Sequence, residues 1–145
     1  MFLTIVSFMT LTTKPRLWTD EAVTIEIAHS LSRFGELNIQ TSPTQFFEFP
    51  YLLQSTGYPL TVLLATIFRI FGFSFVAVRS FMVFVMLASV LALFFFGRNV
   101  FGPKKTALSL LLICSFASFY ASGRTATGEV LGLFFLIMGL QLYLF

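Results

Sequence analysis

Apolar residues in this chain come in runs, and the polar positions between them form one long block and several short turns. The first run covers 2–11, about half of the roughly 20 residues that a helix needs to cross a bilayer. No basic segment precedes it and no small-residue cleavage site follows, so it reads as a partial first span at 1–12 rather than as a signal peptide. A polar stretch at 12–57 comes next, and further apolar runs occupy 59–75, 81–97, 106–122 and 130–145. This pattern predicts an all-α, polytopic helical membrane protein. About four spans are expected, with an amphipathic surface helix and a short interfacial or re-entrant helix. The organisation is then a partial span at 1–12, an external loop at 13–57 that holds the amphipathic helix, and helical membrane segments over 58–145. The half-length first run and the unflanked last one make the chain read as a fragment, expected to be inactive alone.

The polar block has its own periodicity. Thr19 can cap a helix whose first turn holds Asp20 and Glu21, where free N–H groups and the helix dipole favour carboxylates. Val23, Ile27, Leu31 and Phe34 recur at helical spacing, and Gly35 supplies a stop. Such a helix is suited to lying on a membrane surface. His29 is carried on it as a surface residue. Beyond it, 38–57 contains Pro43, Pro50 and the Phe46-Phe47 pair, and reads as a folded loop with aromatic contacts to the interface. The 59–75 run is interrupted by Arg69 near its middle and by Gly72, which favours an interfacial or re-entrant segment over a crossing.

Composition fixes the solvent. Hydrophobic residues are 57% of the chain and charged residues 10%, against the roughly one quarter charged that an ordinary soluble domain carries, so lipid must cover much of the surface. The nine Lys and Arg against six Asp and Glu are scattered, which excludes a nucleic-acid face. The single Cys114 forms no internal disulfide. Charge also orients the chain. Arg98, Lys104 and Lys105 flank the 99–103 turn with no acid to offset them, which places that turn in the cytoplasm. The 81–97 span then runs inward, 106–122 runs outward, and 123–129 lies outside. If 59–75 does not cross, Asp20 lies outside as well. A full crossing there would instead put Asp20 in the cytoplasm, opposite Glu129.

Several residues, taken in order, resemble a known family. Trp18-Thr19-Asp20-Glu21 precedes the amphipathic helix, and Tyr58-Pro59-Leu60 leads the next apolar segment. Ala77-Val78-Arg79, then Gly97-Arg98 with Phe101-Gly102, then Tyr120, Arg124 and Glu129 follow. This series is similar to the GT-C class of membrane glycosyltransferases, in particular the protein-O-mannosyltransferase-like group that includes the aminoarabinose transferases. The resemblance runs from Leu17 to Phe145 and marks the chain as the N-terminal part of a GT-C transmembrane domain. Where the family has two prolines before the leucine, this chain has Tyr58-Pro59. The resemblance implies a multi-pass protein of a prokaryotic plasma membrane rather than of the endoplasmic reticulum. It also implies sugar transfer from a polyprenyl-phosphate donor to a hydroxyl or amine of a lipid, glycan or protein acceptor on the external side.

That chemistry needs a carboxylate to take the acceptor proton and cations to hold the departing phosphate. The resemblance assigns Asp20 as general base with Glu21 and Glu129 assisting, Arg79 and Arg124 to the donor phosphate, and Tyr58 and Pro59 to a loop motif. Successive helical residues point about 100° apart, so Asp20 and Glu21 cannot both face one atom. Arg124 has an alternative as an interfacial anchor. Asp20, Glu21 and Glu129 have a simpler alternative as helix-end charges. No cofactor is expected. The acids are hard donors that could take Mg²⁺ or Mn²⁺, but no Asp-x-Asp and no second His support a metal site. No Gly-rich phosphate loop points to a nucleotide. The competing functions are a small transporter component, which would place charge in mid-span, and a non-catalytic membrane scaffold, which would need no acid-plus-arginine constellation.

Overall fold

The computed structural model describes residues 8, 11, 16–43, 45–48 and 58–144. Apart from one small hairpin these residues are mostly helical, in the order α1 (Thr19–Phe34), β1 (Gln40–Ser42), β2 (Gln45–Phe46), α2 (Tyr58–Phe71), α3 (Phe75–Phe101), α4 (Pro103–Ser115), α5 (Ala117–Ser122) and α6 (Glu129–Leu144). The all-α expectation holds. The partial first span expected at 1–12 lies outside the described residues, except for Phe8 and Leu11.

Helix α1 begins on Thr19 itself, so its cap lies one residue earlier than expected. Trp18 holds the N-cap position in extended conformation without a side-chain cap bond, and Thr19 is already helical. Gly35 closes the helix at φ 79°, a left-handed conformation that suits a residue without Cβ, and donates its N–H to the Leu31 carbonyl at 3.2 Å. Glu21, Thr24, Ile25 and Ala28 are buried at spacings of one, three and four. Ile25 and Ala28 pack in one core with Leu60, Leu64, Phe68, Val78 and Met82. The helix therefore buries its inner face in protein. Of the stripe expected to face lipid, Ile27 is buried and only Phe34 is exposed.

The hairpin accounts for the first part of the folded loop. Gln40 pairs with Phe46 and Ser42 with Gln45. Its base is closed by Phe47 N–H donating to the Ile39 carbonyl and by Asn38 Nδ2 donating to the Phe47 carbonyl, both at 2.9 Å. Phe46 meets Phe34 edge to face, which seats the hairpin on the end of α1. Residues 49–57 lie outside the described residues.

Helix α2 has 14 residues, about 21 Å at the α-helical rise, well short of a bilayer core of about 30 Å. The Arg69 that interrupts its apolar run has a local task. It donates from Nε to the Ser32 carbonyl and from Nη2 to the Leu31 carbonyl, each at 3.3 Å, and so helps cap the C-terminal end of α1. His29 lies against aromatic rings, 4.6 Å from Phe73 and 6.3 Å from Phe68 between centroids.

Helix α3 runs for 27 residues, extending the expected 81–97 segment at both ends, and is the one helix among the described residues long and apolar enough to cross a membrane. Ser74 caps it by accepting from Ala77 N–H. Gly102, at φ 83°, turns the chain into α4, which starts on Pro103. At this corner α3 and α4 approach closely: a Cβ on Gly97 would stand 2.8 Å from Thr106 Cγ2. The expected outward span at 106–122 is not one helix. Helix α4 stops at Ser115, Phe116 is extended, and the short α5 follows. No Pro or Gly marks the break, and Ser115 Oγ bonds back to the Leu111 carbonyl at 2.7 Å. Helix α6, of 16 mostly apolar residues, is tied to α3 by Ser89 Oγ, which donates within the helix and lies 3.3 Å from the Val130 carbonyl. Among the described residues α3 is the helix of spanning length, and α2 and α6 are shorter apolar helices.

Candidate active site

The first turn of α1 separates its two acids. Asp20 is exposed, and Glu21, about 100° round the helix, is fully buried. The Glu21 carboxylate meets the Arg79 fork side-on, with Nη2 to Oε2 at 2.8 Å and Nε to Oε1 at 3.2 Å. The same Oε1 accepts the Ala126 N–H at 3.3 Å. Arg79 also donates from Nη1 to the Leu11 carbonyl at 3.0 Å, and its guanidinium lies 4.5 Å from the Phe75 ring centroid. Both members of the pair have 0% exposure. Two charges taken this far out of water are tolerated only when paired and hydrogen-bonded, and a planar, bidentate Arg–carboxylate contact meets that requirement. The result joins four segments: the chain at Leu11, α1, α3 and the 123–128 turn.

That turn is the opposite wall of a cavity of about 280 Å³. Arg16, Trp18 and Asp20 line it from the start of α1, and Ala121, Ser122, Thr125, Thr127 and Glu129 line it from the end of α5, the turn and the start of α6. Thr125 and Thr127 flank Ala126, whose N–H is held by Glu21, while Asp20 directly precedes Glu21. One buried ion pair therefore fixes both walls. Gly123 allows the turn to sit this low on α3, since a Cβ there would lie 2.5 Å from Met86 Sδ. Thr125 Oγ1 is 3.2 Å from the Ser122 carbonyl and 3.4 Å from Thr127 Oγ1, which orders the hydroxyls of this wall.

A larger apolar groove of about 560 Å³ adjoins this cavity. It runs between α4, α5 and α6 past Leu112, Phe116, Phe119 and Leu133, and it shares Ser122 and Glu129 with the polar cavity. The break at Phe116 lies on its wall.

The structure thus brings Asp20 and Glu129 to one cavity and sends the other named residues elsewhere. Glu21 and Arg79 are behind the wall, joined to each other. Arg124 is 2% exposed, donates from Nη1 to the Tyr120 hydroxyl at 3.0 Å and lies over that ring, so it backs the turn and does not line the cavity. Tyr58 and Pro59 open α2, where a proline in the first turn gives up no helical bond, and they stand outside the cavity wall. Among the described residues, no three His, Cys, Asp or Glu side chains group as metal ligands would. The polar and aromatic cavity residues to which sequence reasoning assigned no role in the site are Arg16, Trp18, Ser122, Thr125 and Thr127. Adjacency to Asp20 was the available signal for the first two. The others carried only their position between Tyr120 and Glu129.

Residues 59–145 match the family model described as dolichyl-phosphate-mannose-protein mannosyltransferase. No curated protein and no solved structure matches the chain.

Proposed function

This chain belongs to the dolichyl-phosphate-mannose-protein mannosyltransferase family, whose members are membrane glycosyltransferases, and from that premise we propose that its polar cavity is where sugar transfer takes place. The donor is a polyprenyl-phosphate sugar, and the acceptor is a hydroxyl or amine of a lipid, glycan or protein on the external side of a prokaryotic plasma membrane. The observation that carries this reading is the sharing of one cavity by Asp20 and Glu129 while Glu21 is locked away by Arg79. Asp20 has a free approach to that space, and a carboxylate there can take the acceptor proton as the new bond forms. Attack from the face opposite the phosphate inverts the sugar carbon, as in other inverting glycosyl chemistry. Glu129 orients the acceptor from the facing wall. The step as we draw it needs no metal or cofactor.

Two measurements test this reading. Membranes carrying the protein should transfer labelled sugar from a polyprenyl-phosphate donor, whereas the matching nucleotide sugar should give no product. Transfer from the nucleotide sugar alone would reject the lipid-linked donor. Sidedness is tested separately by single cysteines in a Cys114→Ala background. Cysteines introduced at Gln40 and Thr127 should react with an impermeant thiol reagent applied from outside, and one at Pro103 should not. Labelling of the first two from opposite sides would reject a cavity built jointly from α1 and the 123–128 turn.

A further inference from the structure

We propose that Arg16 and Trp18, the arm that leads into α1, form the donor-recognition element of this cavity: Arg16 binds the phosphate and Trp18 packs its indole face on the sugar. The inference rests on the glycosyl-transfer reading above and deepens it. A phosphate leaving a sugar carbon gains negative charge, and a cavity holding two carboxylates repels it unless a cation faces it. The two arginines expected from sequence have other geometry. The Arg79 fork is closed on Glu21 and the Leu11 carbonyl at full burial, and Arg124 is buried over Tyr120. Neither lines the cavity. Arg16 does, it is exposed, and it is the one cationic residue among the described residues of that lining. Its fork can take two phosphate oxygens, with the Ser122 and Thr125 hydroxyls across the cavity.

Trp18 supplies a second, independent observation. It is 67% exposed, in extended conformation immediately before the helix, and on the same wall as Asp20. A flat aromatic face beside hydrogen-bonding groups suits a pyranose, whose C–H faces are apolar and whose edges are polar. The cavity, at about 280 Å³, lies just below the roughly 300–1,000 Å³ range of ligand pockets. That size suits one sugar unit with its phosphate. In the transfer step the bond from the sugar carbon to the phosphate oxygen breaks, and its electron pair leaves on the oxygen facing Arg16. The acceptor oxygen or nitrogen bonds to that carbon, and its proton passes to Asp20.

Trp18 is the single tryptophan of the chain, so its fluorescence reports occupancy without turnover. The full chain in nanodiscs of neutral lipid is titrated with polyprenyl-phosphate mannose, polyprenyl monophosphate and neutral polyprenol. The sugar-bearing donor should shift Trp18 emission to the blue and saturate. The monophosphate should compete with it while shifting emission little, and the polyprenol should do neither. Arg16→Gln should weaken the donor and the monophosphate alike, by about tenfold or more for loss of a charge-assisted contact, with Arg16→Lys intermediate. Trp18→Ala, followed by competition with labelled donor, should weaken the donor while sparing the monophosphate, and Trp18→Phe should recover most of the loss. Retained thermal unfolding midpoints keep folding out of the comparison. Saturable donor binding with unmoved Trp18 emission, or with full affinity in Arg16→Gln, would overturn the assignment and leave the glycosyl-transfer reading standing. Failure of every polyprenyl phosphate to bind would overturn both.

Discussion

Asp20→Asn is expected to lower sugar transfer by about 10²–10⁴-fold, the usual contribution of a positioned general base, with donor affinity nearly unchanged. The substitution keeps the shape of the side chain and its place at the start of α1 but removes the proton acceptor. Asp20 is exposed on the cavity wall, so its replacement leaves no buried charge behind, and folding should be little affected. Glu129→Gln should give a smaller loss, expressed mainly in the KM for the acceptor, because it faces the cavity as an orienting group. The measurement is initial-rate transfer in membranes at matched protein levels. If Asp20→Asn keeps parental kcat, the base is another group, and the sharing of one cavity by Asp20 and Glu129 carries no catalytic meaning.

The second large effect is structural. Arg79→Ala leaves the Glu21 carboxylate buried without its ion-pair partner, a change that destabilises by about 3–5 kcal/mol in comparable sites. The thermal midpoint in detergent should fall accordingly, and transfer should fall with it because both cavity walls hang on this pair. Arg79→Lys should rescue only in part, since an ammonium cannot reproduce the side-on, two-bond contact or lie flat on Phe75. The informative variant is Arg79→Met combined with Glu21→Leu. Removing both charges together restores a well-packed interior and should recover most of the stability. Transfer should stay low, because the Ala126 N–H loses its acceptor and the 123–128 turn loses its tie to α1. Recovery of full transfer in the double variant would show that the pair does no positioning, and parental stability in Arg79→Ala would show that Glu21 finds another partner.

These two expectations also separate what each acid of the Asp20-Glu21 pair does. Adjacent on the sequence, they differ because a helix turns by about 100° between them. One faces the cavity and the other faces Arg79. Glu21 and Arg79 are 58 positions apart, and the pairing puts the base of the site under the control of α3.

The sequence by itself determined the apolar character of the chain and the rough place of most of its helices. An apolar chain with so few charges must be covered by lipid, and apolar periodicity broken by Gly and Pro places α1, α2, α3 and α6 close to where they lie. Those are local properties, set by side-chain solvation and backbone preference within a few turns. The motif order pointed to the mannosyltransferase-like family, which the match over 59–145 establishes. The Arg69 interruption was legible in the apolar run of α2, though its capping of α1 was not. Only the tertiary structure decided which charged side chains meet. The Glu21–Arg79 pair, the Ala126 N–H on the same oxygen, and Arg16 in place of Arg79 and Arg124 on the cavity wall all depend on how helices cross. The break at Phe116 is of the same kind, since no Pro or Gly announces it. Periodicity fixes the face of a helix but not its partner. Partner choice is made by the packing of whole surfaces, and an arginine with one motif can be spent on a buried carboxylate as readily as on a phosphate.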